Sequence, residues 1–386
     1  MQRVINIVIA FFLTLSFILP GIVKAQDITE SKFGSVISVF ARDSSFSMKF
    51  STRFQTLYEG VYDMELDKYK DNLLIRRARL KFDGFVHNPK IQYKIELGLS
   101  GSDIGNQDIV SESNYAPLQI LDAVIKYNFH GNWSLWVGQT KLPGNVERVI
   151  SSQSLQFVDR SFLNSRYNLD RDRGVQVRYD GETFGLITAV SIGEGRNISE
   201  ENQGGYDYTA RFEWLPLGRF RSNGDYVGAD LKRESTPKLM VGIVYDYNDN
   251  TNRERGQVGR VLSENRILQA VFVDMHFKYR GWSVMSEYVN KQAPNGPVVS
   301  DGTYYTGTGL NIQAGYLLKN NFELALRFTE VLPAVETLRA GIHQYTFGVS
   351  KYIVGHSLKI QSDLTRIEIE GGDGSMMYRA QVEVSF

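Results

Sequence analysis

Cysteine is absent from the 386 residues, which excludes disulfides, thiol nucleophiles and cysteine-held zinc or iron–sulfur centres. A surplus of positive charge is absent too: 43 Lys and Arg stand against 43 Asp and Glu, which argues against nucleic acid as a partner. No Walker-type loop or G-x-S-x-G elbow occurs, and Gly193-Glu194-Gly195 and Gly307-Thr308-Gly309 are loop chemistry rather than a nucleotide fingerprint. The five histidines (His87, His130, His276, His343 and His356) have no metal-ligand spacing. Four fall at turns or strand starts, and only His276, between Met275 and Phe277, is mid-strand. A Ser–His hydrolase, a metal site or an organic cofactor is therefore not expected. Helical spacing is not sustained anywhere. What remains is a chain with 42% hydrophobic residues, 22% charged residues, 22 Phe and 21 Tyr, too apolar to be disordered.

One long apolar run exists, from Val4 to Leu19, preceded by Arg3 and followed by Pro20-Gly21 and Val23-Lys24-Ala25. A charged start, an apolar core and a small-residue site make a secretory signal, cut before Gln26. As a membrane anchor the run is too short, since a helix needs about 20 apolar residues to cross a bilayer. Residues 1–25 are thus expected to be a signal peptide and 26–386 the mature domain.

The mature chain alternates apolar and polar residues, the mark of strands with two unlike faces. Phe46, Met48, Phe50, Phe54 and Tyr58 share one face, with Ser47, Lys49, Ser51, Arg53 and Gln55 on the other. The last segment repeats this, Tyr378, Ala380, Val382, Val384 and Phe386 opposing Arg379, Gln381, Glu383 and Ser385. Sixteen such segments fall at 45–59, 72–86, 91–99, 118–128, 133–142, 173–180, 183–192, 206–214, 237–247, 266–279, 282–290, 305–317, 321–331, 342–352, 356–369 and 375–386. Short turns (87–90, 129–132, 180–182, 280–281, 353–355) alternate with long loops (60–71, 100–117, 143–172, 193–205, 248–265, 291–304, 332–341). That rhythm is the habit of an outer-membrane barrel, broken once by a long connection at 215–236.

A soluble sandwich also alternates, with its apolar face inward. Three features favour a membrane instead. Many segments run 11–15 residues, long enough for a tilted crossing of about 9–11. Aromatics gather near segment ends (Tyr58, Tyr93, Tyr127, Trp133, Trp136, Trp282, Tyr288, Tyr316, Tyr352), where a barrel carries its interfacial girdles. The polar face carries charge in strand after strand, which suits a wet lumen. The expected fold is all-β, a sixteen-stranded antiparallel transmembrane β-barrel. Its terminal Phe386 looks like the signal such barrels present to their assembly machinery.

Several stretches resemble the phosphate-selective porin O and P family: Arg76 to Gly84 (RRARLKFDG), Gly138 to Pro143 (GQTKLP) with Glu147 and Arg148, Leu155 to Ser161 (LQFVDRS), Arg171 to Val175 (RDRGV), Ala210 to Trp214 (ARFEW), Gln313 to Tyr316 (QAGY), Glu323 to Arg327 (ELALR) and Gly355 to Lys359 (GHSLK). They span essentially the whole mature chain in the family's order. The resemblance implies a homotrimer in the outer membrane of a Gram-negative bacterium, with the long third loop folded into the pore. It further implies passage of small anions, phosphate or polyphosphate, along a ladder of arginines. Outward Phe46, Phe50, Phe54, Val382, Val384 and Phe386 suit either a trimer seam or lipid.

In this register Lys49, Arg53, Arg77, Arg79, Lys81, Lys94 and Lys126 point into the lumen, against Asp83, Glu96 and Asp122. Fixed Arg and Lys raise the local anion concentration, and Arg matches phosphate oxygens bidentately. Arg76 points outward unless the register slips there. The third loop, 143–172 extended to Arg173, carries Arg148, Arg160, Arg166, Arg171 and Arg173 against Glu147, Asp159, Asp170 and Asp172. Such a mixture does not select charge by itself. A general diffusion pore for polar solutes, or a non-conducting structural barrel, stays open on the residues alone.

Overall fold

The computed structural model describes residues 33–34, 36–104, 119–198, 201–202 and 204–386. The expected signal segment lies outside the described residues. Sixteen antiparallel strands form one closed sheet: β1 (Phe46–Asp63), β2 (Lys68–Val86), β3 (Asn88–Gly98), β4 (Ile120–His130), β5 (Trp133–Lys141), β6 (Arg171–Asp180), β7 (Phe184–Ser191) and β8 (Asp207–Trp214) make the first half. The second half is β9 (Lys238–Arg253), β10 (Val261–Tyr279), β11 (Trp282–Gln292), β12 (Gly307–Leu317), β13 (Phe322–Pro333), β14 (Ile342–Val354), β15 (Leu358–Ile369) and β16 (Ser375–Ser385). Each strand pairs with its neighbour in sequence, and β16 closes on β1 from Ser385↔Arg53 to Ser375↔Asp63. Below that seam β16 has ended, and a short strand at Ile37–Phe40 covers the bare edge of β1 from Ser47 to Phe50. Phe386 finishes the seam, its backbone bonded both ways to Thr52 at 2.7 and 3.0 Å.

Burial is inverted relative to a water-soluble protein. Arg211, Asn311, Thr365 and Lys359 are buried, whereas Leu326 is 65% and Phe347 47% exposed. Apolar surface costs about 25 cal/mol per Å² in water, so a continuous apolar outer wall is stable only in lipid. Closure removes every free strand edge, which a bilayer core requires. The alternation therefore runs lipid-out and lumen-in, not core-in as in a sandwich.

Two expected loops are largely strand. β1 and β2 run 18 and 19 residues and turn at 64–67, and β9 and β10 run 16 and 19 residues around 254–260. Alternation fades there because both faces meet water, as the uniformly exposed Lys68–Leu73 stretch shows. Two aromatics assigned to the girdles face the other way: Trp136 lines the lumen, and Tyr352 is buried with its hydroxyl on Glu323.

The outward reading of Arg76 is corrected by a β-bulge. Gln55 pairs with Arg77 but Thr56 with Ile75, so Arg76 is an extra residue. Bulges re-aim side chains. Here consecutive arginines reach the same partner inside the barrel.

Candidate pore and its constriction

Between β5 and β6 the third long loop, L3 (142–170), turns down into the lumen and carries two short helices, Val146–Val149 and Phe162–Tyr167. It stays there because it carries its own apolar face. Leu142, Leu163, Tyr167 and Leu169 pack on a dry patch of the inner wall made by Val244, Phe272, Val289 and Val331. Each such side chain contributes about 1.5–3 kcal/mol by leaving water. Farther along, the Gln156 amide donates to Ser283 and Glu323 at 2.8 and 2.7 Å. The wall makes room with glycine. A Cβ on Gly315 would come within 2.1 Å of the Gln156 amide nitrogen, and one on Gly348 within 2.9 Å of the Phe157 ring.

The long 215–237 connection also enters the lumen, from the turn side. Its Leu215 and Phe220 join L3's Val146, Ile150 and Leu155 and the wall's Met240 and Met285 in one buried cluster. Asp230 anchors its far end by accepting from the backbones of Glu234 and Gly281. Together L3 and this connection fill the side of the barrel under β8–β14. What stays open lies mainly along β1–β6, as cavities of about 340, 330, 250 and 240 Å³. They share walls, with Arg79 and Lys94 each belonging to three of them.

All seven wall residues singled out from the sequence border this path. Lys49 lies at its turn-side end with Lys81, which pairs with Asp83 at 2.7 Å. Arg53 is held by Glu383 and by L3's Ser152, at 3.3 and 2.7 Å. Arg77 bonds Gln55 at 2.7 Å and Asp159 at 2.9 Å. Arg79 bonds Glu96 at 3.0 Å and also Asp103. Lys94 bridges Glu96 and Asp122 at 2.9 and 2.6 Å. Lys126 sits 3.7 Å from the centre of the Trp136 ring.

The loop residues divide. Arg148, Asp159, Arg160 and Arg171 line the cavity of about 340 Å³ under the loop, although Arg171 is the first residue of β6 rather than part of the loop. Arg171 reaches across to Asp122 at 3.0 Å. Arg166 instead lies over Tyr305, 5.7 Å from the ring centre, in the company of Arg255 and Arg339. Arg173 leaves the path altogether: it follows the outward parity of β6 and donates to the Ile198 carbonyl near the rim.

The loop's carboxylates are employed as anchors, which is why a mixed sequence becomes a one-sided surface. Glu147 accepts from the Ser161 backbone and hydroxyl, and Asp170 takes Arg148. Asp159 is clamped by Arg76 at 2.8 and 2.6 Å and by Arg77. Burial works to raise the Asp159 carboxyl, but Arg77 and Arg76 outweigh it and hold it well below the usual carboxylate range. Burial and the nearby Arg148 and Arg77 push the Arg160 guanidinium well below its ordinary value.

This cavity is walled by ten Lys and Arg against Asp103 and Asp159. Lys141, Arg160, Arg196 and Arg255 bond backbone carbonyls, which leave their charge intact. Lys141, Arg196, Arg255 and Arg379 were not singled out from the sequence. Arg379 follows the inward alternation and was findable that way, whereas Lys141, at the end of β5, is out of step with the inward Ser134, Trp136, Gly138 and Thr140. Arg196 and Arg255 come from loops that carry no period to read.

A closed sixteen-stranded barrel with a lipid face, a folded-in third loop and a charged lumen is a porin of the bacterial outer membrane. The sequence model of the phosphate-selective porins O and P matches residues 48–328, and the chain belongs to that family. A search of the curated proteins finds no match. Among solved structures, the anion-selective porin from Comamonas acidovorans is similar at TM-score 0.56 and 10% identity, over 88% of this chain and 100% of that one. OmpT of Vibrio cholerae, folded in vitro and described in its trimer form, gives 0.57 and 11% over 89% and 100%. The DcaP channel of Acinetobacter baumannii gives 0.57 and 12% over 90% and 99%. At such identities the likeness is one of fold.

Proposed function

We propose that this outer-membrane porin passes small anions in preference to cations, with phosphate-type oxyanions as the substrate class. The observation that carries the reading is the surplus of cations at the constriction, four of them bonded to neutral carbonyls. Such groups attract anions and repel cations where L3 folds against the wall. Arg side chains add donors in a fork that fits oxyanion geometry. Lys49, Arg53, Arg77, Arg79, Lys81, Lys94 and Lys126 extend that field along one wall, and Arg148, Arg160 and Arg171 meet it from L3. Arg166 acts at the mouth, over Tyr305. Arg173 has no part in it.

Reversal potential under a KCl gradient in a planar bilayer tests the reading. The wild-type channel should favour chloride at low salt, and the preference should shrink as salt rises. Replacing Arg77 and Arg79 with Glu should move it towards potassium. A cation-selective wild type that the double substitution leaves unchanged would overturn the proposal. The apolar outer face implies lipid as the surrounding partner, Phe386 at the closing seam suits recognition by assembly machinery, and the family membership favours a homotrimer.

A further inference from the structure

Below the constriction the path continues in a cavity of about 250 Å³ whose chemistry differs from that above it. Trp136 is the first difference. It stands on the lumen side of β5, between Ser134 and Gly138 on the same face, and its indole N–H donates to Ser134 at 3.1 Å. Two cations rest on its ring: Lys126 at 3.7 Å and Arg178 at 4.1 Å from the centre. Neither makes an ion pair among the described residues. Arg178 has a neutral partner, the Gln176 side-chain oxygen at 3.3 Å. The ring's negative faces hold the two cations in place without cancelling their charge. The second difference is the apolar lining that L3 contributes, Leu142, Pro143 and Val149. The cavity above is walled mainly by charge, with Leu121 and Phe162 as its apolar lining.

We propose that this cavity is a binding station for organic anions, with Lys126 and Arg178 taking the carboxylate and Leu142, Pro143 and Val149 taking a flat apolar body. An inorganic oxyanion uses only the cationic side of such a chamber. A carboxylate with a ring attached uses both, and the ring's contact with Val149 and its neighbours removes apolar area from water. Trp136 is a positioning residue: it fixes where the charges stand. The inference rests on the anion-preferring reading and extends it to a second substrate class at a separate place in the lumen.

The test compares benzoate with acetate, two monoanions of equal charge, as blockers of chloride current through the intact protein in a planar bilayer, with inorganic phosphate alongside. Benzoate should half-block at a concentration about tenfold lower than acetate, equivalent to about 1.4 kcal/mol. Val149→Ser should bring the two within about twofold of each other, since it removes hydrocarbon and leaves every charge. Trp136→Leu should weaken block by both carboxylates, and Trp136→Phe should restore it because a ring face is back. Heat-modifiable migration on gels verifies that each variant is a folded barrel. Equal block by benzoate and acetate in the wild type would overturn the station without any variant, as would a benzoate advantage that survives Val149→Ser. A channel whose reversal potential shows no anion preference would overturn the function proposed above instead, so the two failures are distinguishable.

Discussion

Asp159→Asn is the most informative single change, because Asp159 is both an anchor of L3 and one of two carboxylates bordering the arginine-walled cavity. The asparagine keeps the shape and one acceptor oxygen but removes the charge. As an anchor, Asp159 receives three guanidinium hydrogen bonds, at 2.8, 2.6 and 2.9 Å. Breaking a buried pair costs about 3–5 kcal/mol, and the partial exposure of Asp159 and Arg76 places this one at about 3. L3 should nevertheless remain inside, since its apolar packing and the bonds of Gln156 and Glu147 are untouched. The principal effect is then electrostatic. A unit charge about 5 Å from a permeating ion is worth roughly 0.8 kcal/mol even at the dielectric of water. Screening at 0.1 M leaves about 0.5 kcal/mol in favour of an anion and the same against a cation, a factor of about five in anion over cation preference, and at 1 M less than about twofold. Reversal potentials at both salt concentrations measure this, with Asp159→Glu as the charge-conserving control. A preference that is unchanged, or that falls, at 0.1 M would refute the argument that the clamped carboxylate offsets the constriction's field.

Further outcomes can be checked separately. Mass spectrometry of the mature protein should find Gln26 at its N-terminus; retention of residues 1–25 would overturn the signal reading. In native detergent micelles the mass should be that of a trimer, and a monomer would count against assembly along the β1–β16 seam. Replacing 216–236 by a tight turn should raise conductance and lower anion preference, because it withdraws Phe220 and its neighbours from beneath L3; an unchanged conductance would mean that the connection does not restrict the path. Burial, with Glu213 nearby, pushes the Asp225 carboxyl up to about 6. A carboxyl raised in the folded state stabilises the barrel fully below about pH 4, and that contribution is lost as pH rises through about 6. Asp225→Asn should therefore flatten the change in denaturant midpoint between pH 4 and pH 7, by at most about 3 kcal/mol, and an unaltered difference would contradict the assignment.

The barrel was legible because a bilayer imposes a rule on every strand that crosses it. Lipid on one side and water on the other force period-two alternation, and all sixteen staves carry it. The same rule explains where reading fails. Lys68–Leu73 stands above the membrane, where water meets both faces and alternation is no longer required. Trp136 and Tyr352 were misplaced for a related reason. An aromatic near a strand end is worth the same to a girdle as to a lumen, and only its parity within the strand decides. Ser134, Trp136, Gly138 and Thr140 share that parity, so the evidence against a girdle lay in the residues on either side.

The site was less legible than the fold because its charge pattern depends on which carboxylates are spent on architecture. Along the wall, parity alone brought seven cations to the path. Over 143–173 four acidic and five basic residues look balanced as a string, yet Glu147 and Asp170 serve the loop's own hydrogen bonds and Arg173 serves the rim. The Arg76–Arg77 pair shows why a strict register could not have anticipated this. In an alternating strand one of two adjacent arginines must face lipid, at a cost no isolated guanidinium there could offset. A single inserted residue resolves the conflict, bending β2 so that both side chains reach Asp159. Two adjacent charges inside an otherwise alternating stave are thus a sign of a bulge, and a bulge facing a folded-in loop is a sign of an anchor. By that reasoning the constriction is not simply a loop that falls into a barrel, but one whose docking point is written into the irregularity of the wall beneath it.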